Sequence, residues 1–157
     1  YDQYFRQLFE VGVFRFLDKP VNTEQLSECF VDACRQISDR NACFEYTCKR
    51  GFFRIPFREI VYFESDRRVI RLYLWNGEHR EFYGKLNRIE EGMKAGGRFF
   101  LRIHQSYLLN YDYVRRMDGT SVTLAINGKE IQLPISSDRQ YEMSKQLCEL
   151  KKGKWNI

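Results

Sequence analysis

The chain has 157 residues, of which 43% are hydrophobic and 30% charged, and its formal net charge is +5. This balance is typical of a globular chain and excludes a disordered one. Its apolar runs are short, as in Ile60–Phe63, whereas a membrane-spanning helix needs ~20 apolar residues. We therefore expect no membrane partner.

The charge is divided unevenly along the chain. Residues 1–39 contain four basic and seven acidic residues, whereas residues 40–157 contain 22 basic and 14 acidic ones. A basic unit suits a polyanion such as nucleic acid or a membrane surface, although many basic domains bind neither. The division predicts two units with different partners.

The start of the chain and its cysteines bear on compartment. Tyr1–Tyr4 contains no initiator Met and does not open a secretory signal. We expect the chain to begin inside a longer protein. The chain has an odd number of cysteines, five, and no two of them have C-x-x-C spacing. They predict buried or half-buried thiols in the cytoplasm and no metal site.

The first 39 residues have the pattern helix, strand, loop, helix. The first helix ends at Gly12, and Val13–Leu17 is a short apolar strand. Asp18–Pro20 breaks the strand, and Asn22 or Thr23 caps a second helix. Leu26, Phe30, Ala33, Cys34 and Ile37 form its apolar stripe. Because these elements cannot form a core alone, they predict a remnant of an α/β domain.

From Cys43 the apolar pattern has a period of two, which predicts a mainly β unit. The predicted strands are 44–48, 52–57, 60–63, 69–75, 78–83, 99–103, 121–126 and 129–133. Helices are predicted at 85–94 and from 136 or 137 to about 150, followed by a frayed tail. Asn76–Gly77 and Asn127–Gly128 each predict a hairpin with a type I′ turn.

Catalytic and RNA-binding patterns are weak. His104 and Ser106 lie close in sequence, but no nucleophile elbow, phosphate loop or dinucleotide motif is present. We expect no enzyme activity and no cofactor, and His104 is interpreted as a hydrogen-bonding residue at a strand end. Arg50–Phe52 opens like an RNA-binding signature, but Phe53 and Arg54 depart from it.

Basic residues cluster in predicted loops. Arg67, Arg68 and Arg71 surround one loop, and Arg102, Arg115, Arg116 and Arg139 add further cations. Loops at one end of a β scaffold can enter a DNA groove, with Arg on phosphates and Gln or Asn on base edges. Charge alone favours DNA-contacting loops and a solvated charged face equally.

Four landmarks resemble the LytTR family of DNA-binding domains. Phe99–Asn110 (FFLRIHQSYLLN) is similar to its F-x-R-x-H-x-S-Y-L-V-N signature, and Ile60–Ser65 to its I-x-Y-F-E-S strand. Phe82–Leu86 and Leu133–Ser136 match the landmarks that follow. The resemblance implies elongated, stacked β-sheets with short helices over residues 40–150, leaving a tail at 151–157.

The resemblance also implies a role: sequence-specific transcription regulation, with loops that contact successive major grooves. The DNA contacts that it implies are Arg67, Arg68, Ile70, Arg71, Gln105, Ser106, Ser136, Ser137 and Arg139. Gln105 follows the motif His and can pair with adenine. Ser137 and Asp138 stand where the family has a basic residue, so either Arg139 takes over that contact or it is lost.

Residues 1–39 resemble the end of a response-regulator receiver domain. Phe14–Pro20 (FRFLDKP) is similar to its last strand and Lys-Pro pair. Lys19 then corresponds to the phosphate-sensing cation, and Pro20 to a turn with a cis peptide bond. The resemblance implies a two-component system, with a sensor histidine kinase as partner and a homodimer on double-stranded DNA. The alternative is a protein-interaction module that does not bind DNA.

Overall fold

The structure, a computed structural model, describes residues 17 and 19–154, with side chains described up to residue 148 except at 39 and 40. The helix predicted before Gly12, residues 13–16 of the predicted strand, and Asp18 lie outside the described residues. The chain divides into two compact units, residues 1–42 and 43–157. No helix in the described residues is long and apolar enough to cross a membrane.

In the first unit, helix α1 spans Thr23–Asn41. The side chain of Asn22 accepts a hydrogen bond from the Glu24 backbone N–H at 2.9 Å, so Asn22 is the N-cap. The Lys19–Pro20 peptide bond is cis, as the resemblance predicted. The apolar stripe of α1 is exposed, with Phe30 at 69%.

The second unit contains ten strands and two helices among the described residues. The strands are β1 (Cys43–Cys48), β2 (Gly51–Pro56), β3 (Ile60–Asp66), β4 (Val69–Leu74), β5 (His79–Tyr83), β6 (Phe100–His104), β7 (Tyr107–Asn110), β8 (Val114–Met117), β9 (Ser121–Ile126) and β10 (Lys129–Pro134). The helices are α2 (Leu86–Ala95) and α3 (Gln140–Lys154). Strands β7 and β8 were not predicted from the sequence, and the last helix begins later, at Gln140, and ends later, at Lys154, than predicted.

These strands form three antiparallel sheets. The central sheet has the order β5-β4-β3-β7-β6, and the smaller sheets are β1-β2 and β10-β9-β8. Successive residues of a strand point to opposite faces, and both faces of β3 are buried. Phe63 packs in the core shared with β1, β2 and α2, whereas its neighbour Tyr62 packs in the core shared with β9, β10 and α3. An irregularity between Ile60 and Tyr62 places Val61 on the same face as Tyr62. The prediction of a mainly β fold with short helices is confirmed.

The two Asn-Gly hairpins differ. Asn127 and Gly128 have φ of 48° and 74°, and Ile126 pairs with Lys129. This two-residue turn agrees with the predicted type I′ geometry. At the other hairpin only Gly77 has a positive φ, of 85°, and Leu74 N–H bonds to Glu78 O. That loop has three residues, so the type I′ prediction is wrong there.

Two of the cysteines also depart from the expectation. Cys34 and Cys148 are exposed, whereas Cys29, Cys43 and Cys48 are partly buried. The prediction of buried or half-buried thiols is therefore wrong at Cys34 and Cys148. Cys34 lies on the exposed stripe side of α1, and Cys148 lies on α3.

Candidate nucleic-acid interface

Three segments predicted to contact DNA meet at one end of the central sheet, which we call the contact end. They are the Arg67 turn (residues 66–69), the Gln105 turn (residues 104–107) and the Ser136 segment (residues 136–139). Ser65 N–H donates to Ser106 O at 2.8 Å, which joins the first two. Ser136 N–H donates to Ile103 O at 2.9 Å, which joins the third.

The Arg67 turn connects β3 to β4 with two residues, since Asp66 pairs with Val69. Arg67 and Arg68 are both exposed, and no ion pair in the described part of the chain includes either of them. Arg67 has a φ of 58°, a conformation that is unfavourable for a residue with a long side chain. The turn therefore presents two uncompensated cations at the contact end.

The Gln105 turn connects β6 to β7, and its neighbours hold it in place. His104 Nδ1 accepts a hydrogen bond from Ser106 N–H at 3.1 Å. This confirms that His104 is a hydrogen-bonding residue at a strand end. Within residues 100–110 only Gln105 is exposed. The turn thus directs one amide side chain into solvent, while its backbone groups bond within the protein.

Arg102 is the main internal support of this turn. The residue is 6% exposed, and its guanidinium donates from Nε to His104 O at 2.7 Å and from Nη2 to Gln105 O at 2.6 Å. Its Nη1 donates to Glu90 Oε2 of α2 at 3.2 Å. Burial lowers the pKa of Arg102, Glu90 opposes this, and the positive charge of Arg139 adds to it. Arg102 is therefore a buried support and not the exposed cation that the sequence indicated.

Another buried residue of the motif supports the start of β3. Asn110 Nδ2 donates to Ile60 O at 2.9 Å, and its Oδ1 accepts from Asp112 N–H at 3.1 Å. Both distances are those of ordinary hydrogen bonds. Asn110 therefore has a structural role, although the family motif alone did not separate supporting residues from contacting ones.

The Ser136 segment is a 3-10 turn that precedes α3. Ser137 and Asp138 are exposed and Arg139 is half-buried. Arg139 Nε is 3.9 Å from Asp138 Oδ2, which is a weak ion pair. A hydrogen bond from Ser136 and the charges of Arg139 and His104 lower the pKa of Asp138. This segment therefore lies within electrostatic reach of the Gln105 turn.

Two predicted contacts need correction. Ile70 is fully buried in the core below β4, so its side chain cannot reach a base in this structure. Arg71 lies among three carboxylates, with its Nε 2.9 Å from Glu81 and its Nη atoms 3.5 Å from Asp66 and 3.7 Å from Glu64. Because these acids offset its charge, Arg71 is no free phosphate ligand. Period-two burial along β4 places Ile70 inward.

Comparison with known proteins assigns this unit to a family. The family model described as the LytTr DNA-binding domain matches residues 50–148. The chain belongs to the LytTR family. It therefore carries a DNA-binding domain of the kind found in response regulators, as its motifs predicted. The curated proteins gave no match.

A solved LytTr DNA-binding domain from Bacillus cereus has a similar fold. The two share 15% sequence identity with a TM-score of 0.53, covering 68% of this chain and 97% of that one. At this identity the likeness concerns the fold alone. The LytTR match covers all three segments of the contact end.

Proposed function

We propose that this LytTR chain is a sequence-specific transcription regulator that binds double-stranded DNA through the contact end. The observation that carries the proposal is the meeting of the Arg67 turn, the Gln105 turn and the Ser136 segment at one sheet end. Each is short, and together they offer exposed cations and one amide. Such a group of loops suits successive major-groove contacts.

Each residue has a proposed role. Arg67 and Arg68 bind phosphates, because both are exposed and uncompensated. Gln105 reads a base, because it is the exposed side chain of its turn. The hydroxyl groups of Ser106 and Ser137 bond to the backbone of the DNA, and Arg139 supplies the cation of the third segment. Ser136, whose hydroxyl bonds to Asp138, holds this segment in place.

The first unit is proposed to be the end of a receiver domain in a two-component system. Lys19, which is exposed, would sense a phosphoryl group supplied by a sensor histidine kinase. A receiver-linked homodimer would place two LytTR domains on adjacent repeats. A DNA partner implies a cytoplasmic protein, whose activity is binding and not catalysis.

A salt titration tests DNA binding directly. A duplex selected from random sequences is titrated with the full chain at several salt concentrations. Because bound cations release counterions from DNA, log K should fall steeply with log salt. Arg68→Ala should reduce the slope by about one unit on every duplex, as for one lost phosphate contact.

Arg80→Ala is the matched control. Arg80 is an exposed arginine of the same sheet, but it forms an ion pair with Glu78 at 2.7 Å. It lies on β5 opposite Leu72 of β4, away from the Arg67 turn. Its removal should leave the slope unchanged. An unchanged slope for Arg68→Ala would mean that the Arg67 turn is a solvated charged face and does not bind phosphates.

One observation favours a protein-interaction role as a second function. Leu26, Phe30 and Ile37 of α1 are all more than half exposed and share one side of that helix. An exposed apolar stripe of this kind marks a contact with another protein. This role is compatible with DNA binding by the second unit.

A further inference from the structure

A buried ion pair joins Arg102 to Glu90, with 3.2 Å between Nη1 and Oε2. Arg102 lies on β6 and Glu90 on α2, so the pair connects a helix to the Gln105 turn. Lys94 Nζ also lies 2.8 Å from Glu90 Oε1. One carboxylate thus orients the guanidinium from the helix side.

The guanidinium bonds to the turn itself. Its Nε and Nη2 donate to two successive carbonyls, those of His104 and Gln105. A planar guanidinium fixes two acceptors at once, which an ammonium group cannot do in the same geometry. Two further hydrogen bonds hold the backbone of the turn: Ser106 N–H donates to His104 Nδ1, and Ser106 O accepts from Ser65 N–H.

We propose that Arg102 is a positioning residue for base recognition, which fixes the backbone of the Gln105 turn so that the Gln105 amide is already oriented toward its base edge. The inference rests on the proposed reading of DNA by Gln105. A side chain on a preorganised backbone loses less conformational entropy when it binds. Arg102 itself makes no DNA contact, because its guanidinium is buried and occupied.

If Arg102 has this positioning role, its loss should weaken binding to the specific duplex and leave binding to random duplexes unchanged. Arg102→Lys keeps the positive charge but cannot bond to both carbonyls. We expect it to reduce the ratio of specific to random-duplex affinity by about tenfold, within the range that one base contact is worth. Affinity for random DNA should change little, because the phosphate ligands Arg67 and Arg68 are untouched.

Two further variants keep the test decisive. Glu90→Gln removes the orienting charge and leaves the arginine in place, so it should reduce the ratio less than Arg102→Lys does. If Arg102→Lys does not fold, Glu90→Gln alone tests the positioning role. Leu74→Ala is the control for lost stability, since Leu74 is buried at the far end of β4. It should lower the melting temperature and leave the ratio unchanged.

Hydrogen exchange supplies a readout that a general loss of stability does not imitate. In Arg102→Lys the Ser106 amide should exchange faster, whereas the Leu124 amide in the neighbouring sheet should not. Gln105→Ala is measured in parallel. If it preserves the affinity ratio, the proposed base reading fails. If it lowers the ratio and neither Arg102→Lys nor Glu90→Gln does, the positioning role alone is overturned.

Discussion

Gln105 carries the direct base reading in the proposed interface. Its amide offers one donor and one acceptor, which match N7 and N6 of adenine in the major groove. Gln105→Ala should therefore cost about 1–3 kcal/mol at one preferred base pair and little on random DNA. The measurement is the affinity for the selected duplex and for its single-base variants.

Arg139→Ala serves as the comparison for that prediction. Arg139 is half-buried beside the Gln105 turn and only weakly paired with Asp138. If it has taken over the third family contact, its removal should change preference at a different base pair. If Gln105→Ala leaves every base preference intact while Arg139→Ala alters one, the base reading belongs to the Ser136 segment.

Asp118 holds the turn between β8 and β9, which supports the Ser136 segment. Its Oδ1 accepts from Thr120 N–H and Ser121 N–H, both at 2.8 Å. These bonds lower the pKa of Asp118 from 3.8 to about 2. Thr120 O accepts from Ile135 N–H at 2.8 Å, so the turn also holds the entry to the Ser136 segment.

This pKa direction sets the pH dependence of the contribution. Because the folded pKa lies below the unfolded value, the ionised Asp118 stabilises the fold above pH 3.8, and the effect is lost as the pH falls toward 2. Asp118→Asn should lower the melting temperature at neutral pH, and the difference should narrow on acidification. A difference that is constant over this range would contradict the prediction.

At the scale of elements, the β3–β4 turn combines strain with exposed charge. Arg67 has a φ of 58°, and the left-handed region costs a non-glycine residue ~1–2 kcal/mol. Arg67→Gly should stabilise the fold by about 0.5–1 kcal/mol after the added entropy of glycine in the unfolded chain. It should also weaken binding to all duplexes. Thermal melting and a salt titration measure the two effects.

Arg67→Asn separates strain from charge, since Asn tolerates the left-handed region and carries no charge. It should weaken DNA binding as much as Arg67→Gly does. Strain retained at a binding residue is expected where the residue acts on a ligand. If Arg67→Gly gains stability without losing DNA affinity, the conformation of Arg67 has no connection with DNA.

Strands and turns were predictable where local chemistry decides them. Asn127–Gly128 forms the expected turn because Ile126 and Lys129 pair directly. At Asn76–Gly77 the pairing of Leu74 with Glu78 adds a third loop residue, Trp75, whose N–H bonds to Glu59 O. That bond is a tertiary contact, which the dipeptide alone could not reveal.

The site was predictable as a set of segments but less so residue by residue. Motif order located the three segments, but it did not separate the buried Arg102 from the exposed Arg68. An arginine inside the apolar run Phe99–Ile103 was the available signal, because a charge in a buried strand needs a partner. Glu90, which follows the inward-facing Ile89 of α2 in the sequence, was the acidic residue available as that partner.

At the scale of the whole molecule, the proposed homodimer would use the exposed stripe of α1. Phe30 is 69% exposed, and burying such a side chain gains about 1.5–3 kcal/mol. Phe30→Glu should therefore weaken self-association of the full chain, measured by sedimentation over a range of concentrations. Val31→Glu is the matched control, because Val31 is also exposed but lies off the stripe.

Self-association should appear in DNA binding as avidity. Linking two domains makes the second contact intramolecular, so the wild-type chain should bind a duplex with two repeats about 100-fold more tightly than one with a single repeat. Phe30→Glu should remove most of that gain and leave single-repeat affinity intact, since the contact end is unchanged. Val31→Glu should preserve the gain. If the Phe30 variant keeps the full difference between one and two repeats, the stripe of α1 does not join the two copies on DNA.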